Sequence, residues 1–143
     1  MACDKLVAAA GMLVYRRLSE NIEFLFLQAS YPPFHWTPPR VRHVDPGEDF
    51  WQAAVRETRE EAGITEDQLK VHKDFCHEMR YEANSKPKIV KYWLAELKKA
   101  EDVQLSHEHT NWKWLQLAEA IETSKFPEME KMLHAADEYL KKL

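Results

Sequence analysis

Cysteine is scarce in this chain: Cys3 and Cys76 are the only two among 143 residues. Their spacing suits neither a paired metal ligand nor a disulfide framework, so a scaffold that depends on staples is excluded. An apolar leader of the secretory type is missing, and so is any apolar run of membrane-spanning length. A reducing setting, cytoplasmic with the nucleus as alternative, is therefore expected, and no membrane partner. An excess of basic charge is also missing. The net charge of −4 argues against a broad cationic surface for extended nucleic acid, though it leaves room for a small basic pocket. Internal repeats and low-complexity segments are absent. What remains is 45% hydrophobic and 31% charged, an ordinary composition for one domain over 1–143 with its own core. A monomer is expected.

Residues 6–16 and 22–28 read as strands joined by a hairpin connection at 18–21. The second run is apolar on nearly every residue, which predicts a central strand covered on both faces. Residues 31–40 contain Pro32, Pro33, Pro38 and Pro39. They forbid helix and disfavour a central strand, so a stiff aromatic loop is expected. It serves either as part of a binding site or as a hydrophobic plug. Pro46-Gly47 turns the chain into a helix starting near Glu48 or Asp49, with Trp51, Ala54, Val55, Thr58 and Ala62 inward and Gly63 ending it. Later strands are expected at 71–81, a strand that contains Cys76 as a small apolar residue, at 89–97 and at 112–115, where the tryptophans favour the core. From Glu128 onward an amphipathic helix follows. The order of elements predicts an α/β fold, a mixed sheet covered by helices.

The informative stretch is 56–64. Glu57, Glu60 and Glu61 stand at i, i+3 and i+4, on one helical face and off the inward stripe. A solvated helix staggers acids against bases four residues later, whereas Glu57 and Glu61 form a like-charge pair. In a partly desolvated cleft, two carboxylates about 4 Å apart repel by roughly 4 kcal/mol at an effective dielectric near 20. Such a face either meets water or holds a cation. His107-Glu108-His109, by contrast, has no helical i,i+4 histidine spacing and is not a zinc signature.

Glu48, seven residues, then Arg56-Glu57-Thr58-Arg59-Glu60-Glu61-Ala62-Gly63-Ile64 resembles the signature of the Nudix hydrolases, apart from Thr58 at an apolar slot. Over almost the whole chain the likeness is to their asymmetrical diadenosine tetraphosphate hydrolase branch. It is carried by residues 23–30, 35–39, 92–95 and 105–109. The resemblance implies an α/β/α sandwich with a mixed sheet, and hydrolysis of a small dinucleoside polyphosphate to ATP and AMP. It further implies Mg2+, or Mn2+ in its place, on Glu57, Glu60, Glu61 and Glu108. Arg56 would orient the acids, and the general base is either Glu57 or Glu108. It assigns His35, Arg40, Lys86, Lys88 and Tyr92 to the phosphates, Tyr81 and Phe126 to one adenine, and Tyr31 to the nucleotide rim.

One departure stands out. The loop reads Arg40-Val41-Arg42-His43-Val44, one residue longer than in relatives, with Arg42 where the signature opens on glycine. Two further readings therefore stand beside the first. One is a Nudix hydrolase of another nucleoside polyphosphate or of capped RNA. The other is a nucleotide-binding protein whose altered loop has weakened catalysis.

Overall fold

The computed structural model describes residues 7–30, 32–41, 44–83, 85–98 and 109–143. Seven strands form one mixed sheet: β1 Val7–Leu18, β2 Asn21–Ala29, β3 Trp36–Thr37, β4 Arg40–Val41, β5 Leu69–Ala83, β6 Lys86–Leu97 and β7 His109–Leu115. Among the described residues three α-helices, α1 Phe50–Ala62, α2 Leu117–Ser124 and α3 Pro127–Lys141, accompany it. β1 pairs β2 through a tight hairpin and β6 in parallel, while β5 and β6 form a long antiparallel hairpin.

Period-two alternation divides the core in two. Phe24 and Phe26 join Leu13, Tyr15, Tyr92 and Leu94 under α2 and α3. Leu25 and Leu27 join Met12, Val14, Ala53 and Ala54 under α1. The apolar run of β2 is thus covered on both faces, as expected.

The proline-rich segment behaves differently from a free loop. β1 and β2 stay paired only from Tyr15↔Phe24 to Leu18↔Asn21, then diverge. β3 pairs β2 at Leu27↔Thr37, and β4 pairs β1 at Gly11↔Arg40. Leu27 also pairs Trp112 on its other edge, so β3 and β4 lie in the split between β1 and β2. Pro38 and Pro39 are buried at the turn of this inserted wedge. Proline lacks a donor but keeps its acceptor, and the Pro39 carbonyl accepts from the Met12 amide at 2.9 Å. The plug reading was therefore correct for Pro38 and Pro39, while Phe34 and His35 stay exposed.

One expectation is qualified and one is corrected. Cys76 lies within β5 as expected but is exposed: the β5 register shifts between His72 and Cys76, and Phe75 is the residue that turns inward. Trp112 is 41% exposed, since β7 pairs only β2 among the described residues.

At the far end of β1, the Tyr15 hydroxyl lies 2.6 Å from His72 Nε2. Burial and the neighbouring Glu96 push the Tyr15 hydroxyl up to about 12, so the phenol keeps its proton in this hydrogen bond. Burial holds both His72 and His77 below the ordinary imidazole range. With folded values below the unfolded one near ~6.5, the unfolded chain binds more protons as pH falls. Stability is complete above that value and declines from it down through the folded values. Urea unfolding at stepped pH should show this decline, and His72→Asn should make it shallower.

Candidate functional site

α1 begins and ends on strong local signals. Asp49 caps it, accepting from the Gln52 amide at 2.7 Å, while the Gln52 side chain accepts from the Asp49 amide at 3.0 Å. Gly63 closes it at φ 70, where a side chain would be strained. Gly63→Ala should cost about 1–2 kcal/mol, measurable by chemical denaturation.

Between those ends, one guanidinium collects the acids. Arg56 meets Glu48 through a two-pronged contact, Nε to Oε2 at 2.7 Å and Nη2 to Oε1 at 2.9 Å. Its Nη1 donates to Glu57 at 2.6 Å and lies 3.5 Å from Glu60. Asp45 approaches Nη2 at 3.3 Å. One positive charge thus faces four carboxylates, and the Arg56 hydrogen bonds hold the Glu48 carboxyl below its usual range. The part played by Asp45 was not foreseen. Its signal was the Pro46-Gly47 turn, which folds Asp45 back so that its amide donates to Glu48 at 3.2 Å.

Glu61 departs from the expected pattern. It is 7% exposed, buried together with Thr58 and Ala62, rather than lying off the inward stripe. Positions 54, 58, 61 and 62 make a wider inward arc than the predicted one. Trp51 and Val55 are only half-buried, and Ala53 takes a core place. The three acids therefore occupy graded environments. Glu61 is buried, the Glu57 side chain is 14% exposed and that of Glu60 47%.

Among the described residues, no three His, Cys, Asp or Glu side chains stand together as a ready cation cage. The donors nonetheless suit a hard cation. Glu57 and Glu61 are carboxylates one turn apart on a single helix, withdrawn from bulk water. Magnesium needs only one or two carboxylates when substrate phosphates supply the rest. Glu108, Tyr31 and Arg42 lie outside the described residues, and Arg40 contributes only its backbone to the description.

A second constellation sits on the opposite face of the sheet, under α2 and α3. Tyr81 from β5 and Phe126, which caps α3, meet edge to face with centroids 5.2 Å apart at 77°. Lys88 pairs Tyr81 across the hairpin, with its ammonium 5.9 Å from that ring. Lys86 lies two residues before Lys88 on the same strand and is exposed. Tyr92 is buried at 1% within the core of this face, so its ring is part of the packing. His35 is exposed and its carbonyl accepts from the Ala29 amide at 2.9 Å. Lys91 was overlooked. It lies 4.5 Å over the ring of Phe50 at the start of α1.

Comparison with known proteins agrees with this arrangement. The NUDIX domain model matches residues 5–136. The asymmetrical bis(5'-nucleosyl)-tetraphosphatase of Caenorhabditis elegans is 60% identical over 135 residues, covering 94% of this chain and 96% of that protein. Its counterpart in Mus musculus is 45% identical over 139 residues, covering 92% and 94%. A crystal structure of a Caenorhabditis elegans Ap4A hydrolase binary complex superposes with a TM-score of 0.93 at 57% identity, covering 96% of this chain and 99% of that one. The acid-bearing helix, the mixed sheet around it and the extent of these matches lead to one conclusion: this chain belongs to the NUDIX family.

Proposed function

We propose that this protein hydrolyses diadenosine tetraphosphate asymmetrically to ATP and AMP, with Mg2+ as the working cation and Mn2+ as its substitute. The observation that carries the reading is the pairing of two sites on one sheet. A helix bears carboxylates gathered by Arg56, and across the sheet two aromatic rings meet beside a lysine. One site suits a cation-assisted polyphosphate and the other a base. The relatives named for this reaction share most of the chain.

Glu57 and Glu61, with Glu60 alongside and Glu108 in support, would hold the cation. When bound, it reverses the charge that the acids present to a polyphosphate and lowers the pKa of water. Arg56 keeps Glu57 in place through its 2.6 Å contact. Glu57 or Glu108 accepts the proton as water attacks phosphorus. One P–O bond of the bridge breaks, and the displaced oxygen leaves with AMP or ATP. Lys86, Lys88, Arg40 and His35 would line the phosphates and Tyr31 the rim, with Tyr92 in the core behind them. Tyr81 and Phe126 would take one adenine, and their edge-to-face contact must open to admit it.

Values of kcat/KM at fixed magnesium for diadenosine tetraphosphate, capped RNA and a nucleoside diphosphate sugar test the substrate class. The dinucleotide should rank first, and preference for either competitor would replace the reading.

A further inference from the structure

A ligand with two bases needs two places for them, and the Tyr81–Phe126 pair provides one. Phe34 attracts attention because it carries two costs together. It adopts φ 60, a left-handed conformation that a bulky residue rarely tolerates, and it is 47% exposed. Its position is set by the two residues that follow it, both held by β2. The next residue, His35, accepts from the Ala29 amide, and Trp36 pairs Gln28. The Ala29 end of β2 lies at the Val7 end of β1, because the hairpin is antiparallel. Val7 in turn pairs Lys88 on β6, and Lys88 pairs Tyr81. Phe34 therefore stands at the same end of the sheet as the adenine pair. β4, β1 and β6 separate β3 from β5, a span of roughly 19 Å at ~4.8 Å per strand. Four phosphates with a ribose at each end cover such a span.

We infer that Phe34 is the platform for the second base of the dinucleotide, its left-handed backbone holding the ring at the rim at the expense of local stability. This rests on the function proposed above. A ring placed for packing would be buried and its removal would weaken the fold. A ring placed for a ligand should show the opposite sign.

Phe34→Gly separates the two, because glycine accepts φ 60 without strain. Melting temperature, KM for diadenosine tetraphosphate, and the inhibition constant of adenosine 5'-tetraphosphate, which has one base, are the three readouts. The variant should melt at the same temperature or higher, raise KM about tenfold through the lost stacking, and bind the one-base inhibitor unchanged. Phe34→Trp should restore KM. A lower melting temperature, an unchanged KM, or equal weakening toward both ligands would overturn the assignment. Absence of dinucleotide turnover in the unmodified protein would instead refute the proposed function itself.

Discussion

Replacing Glu61 by Gln is expected to lower kcat by roughly a thousandfold, the equivalent of several kcal/mol of lost charge stabilisation, without destabilising the fold. Glu61 is 7% exposed on α1, four residues after Glu57. Glutamine keeps the shape of the side chain and its capacity to hydrogen-bond, and removes only the charge. Melting temperature should therefore change little as activity falls. A residue buried for structure alone would lose both together. Calorimetric titration with Mn2+ supplies a readout independent of turnover, and Glu61→Gln should weaken the binding.

Arg56→Lys is the second large effect, a fall in kcat/KM of about 10- to 100-fold. Lysine keeps the charge but lacks the planar fork that grips Glu48 at 2.7 and 2.9 Å while a further nitrogen holds Glu57 at 2.6 Å. With the fork gone, Glu57 gains rotamers that do not serve the site. The loss should appear with magnesium saturating and should not be recovered by raising substrate alone. Glu48 reports on the same contact. Its carboxyl titrates below the usual range because Arg56 bonds it, and in Arg56→Lys it should move back toward that range, observable by carbon NMR. If activity survives while Glu48 shifts, Arg56 serves the fold and not the site.

Much of this was legible in the residues because the signals were local. The Glu48-to-Ile64 spacing, the turn at Pro46-Gly47 and the closing Gly63 placed α1 and its acids, and the apolar run of β2 announced a doubly covered strand. What escaped was settled by distant partners. Prolines argue against interior strands, and nothing local shows that β1 and β2 separate to admit Trp36–Thr37 and Arg40–Val41 between them. The meeting of Tyr81 with Phe126 has no signature in spacing and was expected only through family resemblance. Helical periodicity put Glu61 with Glu57 and Glu60, yet one further position of inward arc buries it. Ahead of the added residue, the wedge is anchored by its buried Pro38 and Pro39, with the Pro39 carbonyl bonded to Met12.

The most direct measurement is a product assay with diadenosine tetraphosphate and magnesium, resolving AMP, ADP and ATP at early times. AMP and ATP in equal amounts is the predicted result. ADP as the sole product, or no turnover at saturating magnesium, would contradict it.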